Sequence, residues 1–126
     1  MTESAMSKNV LAIVDDLFFV TKIETVARQV DAKVAFARNQ DEVMQSIETE
    51  IPGLIIIDLN CRSIAPVESI RRLKSDARLA GVPLIGFYSH VQVELERAAR
   101  EAGCDRILAR SKFSANLPEI LRRVDG

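Results

Sequence analysis

The sequence is short of the residues on which several kinds of site depend. Its 126 residues include no tryptophan, one tyrosine, one histidine and two cysteines. Cys61 and Cys104 lack a CxxC spacing, and a single histidine is too few to complete a zinc site with them. The sequence therefore predicts reduced thiols, no structural zinc and a cytoplasmic location.

Long apolar runs and an excess of one charge are also missing. No apolar run approaches the roughly 20 residues of a membrane span, and the start MTESAMSKN lacks the pattern of a signal peptide. The 17 Lys and Arg residues balance 18 Asp and Glu residues, with both signs scattered. We expect no membrane and no nucleic-acid partner. The length predicts a single domain over residues 9–126, after a flexible tail over residues 1–8.

Five short apolar runs, rich in β-branched residues, are what the sequence does contain. They are continuous rather than alternating, which is typical of strands buried on both faces of a parallel sheet. The runs are VLAIV (residues 10–14), VAFA (34–37), LIII (54–57), LIGF (84–87) and ILA (107–109). Helical stripes alternate with them, such as Phe19, Ile23, Val26 and Val30 after the first run. The alternation predicts an α/β domain with five helices on both faces of a five-stranded parallel sheet.

Helix ends are predicted from capping patterns. Asn39 with Glu42, and Ser89 with Gln92, have the spacing of capping boxes at helix starts. Gly103 suits a helix end. We therefore expect Ser89 to cap the fourth helix, with a solvent-exposed histidine in its first turn.

Polar side chains follow four of the predicted strands at their carboxyl ends, where sheets of this kind place their sites. In strand order they are Asp15 and Asp16; Asp58 and Asn60; Tyr88, Ser89 and His90; and Arg110, Ser111 and Lys112. Three carboxylates from two strands repel one another unless a cation balances them, and such oxygen ligands suit Mg²⁺. The pattern predicts an acidic, metal-dependent phosphoryl site. The alternative is that these Asp and Asn residues are helix caps and turn formers.

The chain resembles the receiver domains of response regulators in two-component signalling over roughly residues 9–124. VLAIVDD resembles the first strand with its acidic pair, and PGLIIIDLN resembles the third strand with the phosphoacceptor. RLKSDARLAGVPLIGF and EAGCDRILAR resemble the segments that lead into the fourth and fifth strands. The resemblance implies a flavodoxin-like, doubly wound sheet in the order 2-1-3-4-5, and a signalling module rather than an enzyme.

The resemblance also implies roles for individual residues. Asp58 would accept a phosphoryl group from a histidine kinase, a phosphotransfer protein or a small acyl phosphate. Asp15, Asp16 and Asp58 would bind Mg²⁺ together with the main-chain carbonyl of Asn60. Phosphorylation would then shift a two-state equilibrium and change the face made by helix four, strand five and helix five, where a downstream signalling protein docks. We expect a monomer or a weak dimer.

Four places depart from the family pattern, and three of them concern the groups that read the phosphoryl group or respond to it. They are Tyr88 in place of Thr or Ser, Arg110 followed by Ser111 in place of Lys and Pro, Ile107 in place of a switch aromatic, and Arg62 and Pro66 in place of the loop Pro and Gly. If Arg110 reaches Asp58, the pair forms a standing salt bridge that imitates the phosphorylated contact.

These departures leave three hypotheses. The first is a divergent receiver that is phosphorylated at Asp58 but reads the phosphoryl group atypically. The second is a pseudo-receiver that acts as a phosphorylation-independent adaptor, with Leu17, Phe18 and Val93 as apolar contacts for a partner. The third is a flavodoxin-like nucleotide or flavin binder, which is disfavoured because no glycine lies between the first strand and the first helix.

Overall fold

Five parallel strands form one sheet in the computed structural model, which describes residues 9–122. Each strand matches a predicted apolar run to within one residue at either end. The strands are β1 (Asn9–Ile13), β2 (Lys33–Ala37), β3 (Leu54–Asp58), β4 (Leu84–Tyr88) and β5 (Arg106–Ala109). The runs predict the strands well because continuous burial on both faces is a local property of the sequence.

Five α-helices alternate with these strands. They are α1 (Leu17–Gln29), α2 (Gln40–Thr49), α3 (Pro66–Lys74), α4 (Val93–Ala102) and α5 (Arg110–Arg122). A short 3₁₀ helix, Ala77–Leu79, precedes β4. Helix α5 begins at the residue directly after β5, so Arg110 is joined to the sheet without a loop.

The strand order is β2-β1-β3-β4-β5, as predicted. After β2 is placed on one side of β1, the chain crosses to the other side of β1 to form β3, so the strand order reverses between β1 and β3. Ligands of open α/β sheets bind at such a reversal. The register pairs Asp58 with Phe87 and Tyr88 with Ala109. The carboxyl ends of β3, β4 and β5 therefore lie side by side at one end of the sheet.

Two hydrophobic cores cover the two faces of the sheet, because alternate strand residues point to opposite faces. The first core lies under α1 and α5 and contains Phe19, Phe87 and Phe113. The ring centroids of Phe87 lie 4.7 Å from those of both Phe19 and Phe113. The second core lies under α2, α3 and α4 and includes Leu59 and Cys104.

Two of the predicted helix ends are confirmed. The Asn39 side chain accepts a hydrogen bond from the backbone N–H of Glu42 (3.0 Å) at the start of α2. Gly103 ends α4 with a φ of 114°, which suits glycine. A Cβ atom on Gly103 would also lie 2.8 Å from Cγ of Lys74, so both conformation and space favour glycine there.

The predicted start of α4 is wrong. The N-cap of α4 is Gln92, and no side chain caps this end. Ser89 and His90 lie before the helix because their backbone N–H groups donate to Oδ1 of Asn60, at 2.6 and 3.2 Å. These bonds hold the β4–α4 loop against the β3–α3 loop, so the helix begins at Val93.

No helix in the described part of the chain is long and apolar enough to cross a membrane. The structure describes one sheet with its helices over residues 9–122, and the single domain over residues 9–126 stays a prediction. The predicted tail over residues 1–8, and residues 123–126, lie outside the described residues.

Candidate functional site

Asp58 is the last residue of β3, and its carboxyl group is buried, with 7% of the residue exposed. The backbone N–H of Asn60 donates to its Oδ1 at 2.8 Å. Burial raises the pKa of Asp58, and the negative charges of Asp15 and Asp16 raise it further, while the Asn60 hydrogen bond and Arg110 oppose the rise. The charge of Asp58 is therefore only partly balanced by its surroundings.

Asp16 uses both carboxylate oxygens in contacts with the protein. Its Oδ1 caps α1 by accepting hydrogen bonds from the backbone N–H groups of Phe18 (2.9 Å) and Phe19 (3.4 Å). Its Oδ2 forms an ion pair with Nη2 of Arg110 at 3.2 Å. Asp16 is thus a helix cap, as the alternative interpretation expects, and also one side of an ion pair.

Arg110, at the carboxyl end of the sheet, connects α5 to the N-terminal part of α1 and to the β4–α4 loop. Besides the pair with Asp16, its Nη1 donates to Oγ of Ser89 at 3.2 Å. Its guanidinium carbon lies 4.4 Å from the ring centroid of Phe19, within the range of a cation–π contact. Among the ion pairs of residues 9–122, the partner of Arg110 is Asp16 and not Asp58, so the standing Arg110–Asp58 salt bridge does not form.

A path of contacts runs from the acceptor carboxylate across the carboxyl end of the sheet to Asp16. Asn60 connects Asp58 to the β4–α4 loop at Ser89, Ser89 connects to Arg110, and Arg110 connects to Asp16. We call these five residues the site network. They lie at or just after the carboxyl ends of β1, β3, β4 and β5, so the site network links these four strand ends.

Tyr88 is half-buried and packs against the second core, as does Ile107. The Thr or Ser position of the family pattern is therefore filled by a ring that belongs to the core below α4, and the switch position is filled by an aliphatic side chain in the same core. A tyrosine hydroxyl also lies several ångströms further from the backbone than a threonine hydroxyl.

Cys61 is a neighbour of the site that sequence reasoning missed. Its thiol is buried, its Sγ lies 3.3 Å from Oγ of Ser63, and the Asp15 carboxylate lies close to it. Burial raises the pKa of the thiol, so it stays protonated at neutral pH. Ser89, which the sequence predicts as the cap of α4, belongs instead to the site network, because its partners Asn60 and Arg110 are distant in sequence. The only local signal is its position after β4.

The predicted metal ligands lie at one end of the sheet but are not arranged around a common point. In the part of the chain that the structure describes, no group of three or more His, Cys, Asp or Glu side chains is placed to hold a metal ion. The donor types suit Mg²⁺. The arrangement does not fit it, because Asp16 is engaged by Arg110 and by the helix cap. The ligand set Asp15, Asp16, Asp58 and Asn60 stays a prediction.

Solved structures define the class of this fold. A signal receiver domain from Bermanella marisrubri superposes with a TM-score of 0.81, at 20% identity over 95% of this chain and 99% of that one. The Mn²⁺-bound form of the response regulator Rcp1 superposes with a TM-score of 0.74, at 17% identity over 90% of this chain and 88% of that one. The fold is that of a response-regulator receiver domain, and the predicted resemblance is confirmed.

Two curated proteins are similar in sequence. The transcriptional activator protein ExaE of Pseudomonas putida is 33% identical over 88 residues, which are 70% of this chain and 40% of the activator. The sensor histidine kinase GacS of Pseudomonas protegens is 23% identical over 128 residues, which cover 99% of this chain and 14% of the kinase. The chain thus spans less than half the length of either relative. No family profile matches the chain. Together these findings support a receiver domain of two-component signalling.

Proposed function

We propose that the chain is a receiver module that accepts a phosphoryl group on Asp58, and that phosphorylation is only weakly coupled to a conformational change. The observation that carries this proposal is the buried Asp58 at the end of β3, among the charges of Asp15, Asp16 and Arg110. A carboxylate whose burial is only partly compensated is a suitable nucleophile, because formation of the P–O bond removes the negative charge from the carboxylate, and the leaving group takes up the electron pair of the bond that breaks.

The transfer chemistry needs one carboxylate oxygen. Asn60 holds Oδ1 of Asp58, so we assign Oδ2 as the nucleophile. Oδ2 attacks phosphorus in line and forms a P–O bond, and the bond to the leaving group breaks with its electron pair. The leaving group is the imidazole of a phosphohistidine, which then takes up a proton, or the carboxylate of an acyl phosphate. Arg110 offsets part of the charge from the edge of the site.

Recognition of the bound phosphoryl group is expected to be weak. The residues at the positions that contact the phosphoryl group, or respond to it, in the family have other contacts here. Tyr88 and Ile107 pack in the second core, and Arg110 is bound to Asp16 and Ser89. Conformational coupling is typically worth only about 1–3 kcal/mol, and a hydrogen bond to a charged group about 1.5–3 kcal/mol. Loss of one such bond is therefore enough to uncouple phosphorylation from the face made by α4, β5 and α5.

Phosphoryl uptake tests the acceptor. We expect intact-mass spectra to show one added phosphoryl group after incubation with a small acyl phosphate and Mg²⁺, and none in Asp58→Asn. The exposed Asp41 of α2 provides a matched control, since Asp41→Asn should still take up one group. Uptake by Asp58→Asn would refute the assignment of Asp58.

Substitution of the family residues at two positions tests whether Tyr88 and Arg110 cause the weak recognition of the phosphoryl group. Tyr88→Thr combined with Arg110→Lys should lengthen the phosphoryl lifetime or produce a phosphate-dependent change in the amide NMR spectrum. Tyr88→Phe, which removes only the hydroxyl, should do neither. If the double variant behaves as the parent chain does, Tyr88 and Arg110 are not the cause.

A second candidate function is a phosphorylation-independent adaptor. Two exposed apolar side chains at the start of α1, Leu17 (69%) and Phe18 (88%), favour it, because they flank the site without contributing to either core. Val91 and Val93 are exposed beside the β4–α4 loop. The expected partners are a histidine kinase or phosphotransfer protein and a downstream signalling protein. No uptake from either an acyl phosphate or the authentic kinase, with partner binding intact in Asp58→Asn, would select this function.

Three further properties belong to the same proposal. Rcp1, a structural neighbour, is known in a Mn²⁺-bound form. The carboxylates here are of the type that binds divalent cations. The chain acts by protein contacts and not as an enzyme. The free thiols of Cys61 and Cys104 fit a reducing compartment such as the cytoplasm.

A further inference from the structure

We propose that Arg110 competes with divalent cations for Asp16, so that a cation binds at the carboxylates only when Arg110 leaves them. This inference deepens the proposed function, because it concerns the same site. It requires no phosphoryl transfer, so the two can fail separately. It follows from a disagreement: the sequence predicts a three-carboxylate metal site, whereas the described residues contain no such cluster.

Arg110 is held at the site from three directions. Its two terminal nitrogens engage Asp16 and Ser89, each at 3.2 Å, and its guanidinium plane lies near the ring of Phe19. A guanidinium fork is planar and keeps its proton, so simultaneous contacts through both nitrogens fix its orientation. A lysine at this position would offer a single ammonium and no such fork.

The charge balance gives the competition its physical basis. A divalent cation is drawn to clustered carboxylates because it relieves their mutual repulsion. Arg110 already supplies positive charge there, and its effect reaches Asp58. Asp16 has one oxygen in the α1 cap and the other on Arg110, so a cation coordinated directly by Oδ2 would lie beside the guanidinium, and repulsion between the two positive charges opposes its binding while the ion pair is formed.

Release of Arg110 also affects the β4–α4 loop. Ser89 would lose the bond to its hydroxyl, while its backbone would remain bound to Asn60. Cation binding and the position of this loop are therefore linked, and by reciprocity anything that draws Ser89 away favours the cation.

Calorimetric titration with MgCl₂ at constant ionic strength tests the competition. Arg110→Gln should bind Mg²⁺ about fivefold more tightly than the parent chain, a modest factor because the pair is about one-third exposed. Lys112→Gln removes an equal charge from the exposed first turn of α5 and should change the affinity much less. Far-UV circular dichroism confirms that each variant is folded.

The Asp16→Asn background decides whether the effect acts through Asp16. Asparagine keeps the α1 cap but not the ion pair. We expect Arg110→Gln to give no further gain in that background, which would be a non-additive cycle. An equal gain in Mg²⁺ affinity in both backgrounds would overturn the proposal, and so would a gain in Lys112→Gln as large as in Arg110→Gln. Either result would show a general electrostatic effect rather than competition for Asp16. The absence of Mg²⁺ binding in both the parent chain and Arg110→Gln would also overturn the proposal.

Discussion

Asp58 carries its charge where burial disfavours it, and this has a consequence for stability. Its pKa is raised above 3.8, chiefly by burial. As pH rises, the unfolded chain therefore loses this proton before the folded chain does. The free energy of unfolding falls over the interval between the two pKa values and stays reduced above it. Below pH 3.8 both states are protonated, and Asp58 has no such effect.

Asp58→Asn should therefore raise the free energy of unfolding at pH 7. Asparagine removes the buried charge and keeps an oxygen to accept the Asn60 hydrogen bond. The gain should shrink as the pH is lowered towards 3.8, where the parent carboxyl group becomes protonated. Urea unfolding across a pH series measures it, with the exposed Glu24→Gln in the middle of α1 as a control that should show no such pH-dependent gain. A gain that is independent of pH would contradict the role of the charge.

Single residues also show where sequence reasoning stops. Asn39 was placed correctly because its partner, Glu42, is three positions away. Ser89 was misplaced because its partners lie 29 and 21 positions away, in Asn60 and Arg110. Arg110 and Asp16 are separated by 94 positions. Local spacing reveals caps, whereas the site network depends on which strand ends the fold brings together.

At the scale of the element, the start of α2 combines two polar contacts. The Asn39 side chain accepts from Glu42, and the Glu42 carboxylate accepts from the backbone N–H of Arg38 at 2.8 Å rather than from that of Asn39. The capping box is therefore displaced by one residue on its return contact. Arg38 thereby joins the end of β2 to α2.

Asn39→Ala should lower the free energy of unfolding by about 1 kcal/mol, the usual cost of a lost N-cap. Asn39→Asp retains an accepting oxygen and should cost much less, so it provides the matched control. Urea denaturation of the two variants measures the difference. Equal losses in both would mean that the cap contributes nothing and that another contact of Asn39 matters.

The strands and the order of elements were predictable because they depend on patterns within each segment. Apolar runs mark strands covered on both faces, and the stripes mark the helices that cover them. The start of α5 directly after β5 was not evident, because Ser111 stands where the family has proline and the boundary follows from backbone geometry.

At the scale of the whole molecule, the two cores are not independent. Strands β1, β3 and β4 contribute side chains to both, since alternate residues face opposite sides. Loss of either core would expose one face of the shared sheet to water. The molecule is therefore expected to unfold as one cooperative unit.

The single tyrosine allows this to be measured. With no tryptophan in the chain, near-ultraviolet emission reports on Tyr88 at the edge of the second core. Its urea transition should coincide with that of far-UV circular dichroism, which reports on all helices and strands. Two separated midpoints would show that the carboxyl edge of the sheet opens before the rest.

The site network also affects how fast the structure around Asp58 can change. Asn60 and Arg110 each bridge two connections, so a side chain there cannot turn without giving up contacts on both sides. Free surface side chains change rotamer within picoseconds to nanoseconds, whereas concerted loop openings take microseconds or longer. Opening at Asp58 is therefore expected to be an infrequent, collective event, slow enough to produce exchange broadening in the amide resonances of Asn60, Ser89 and His90.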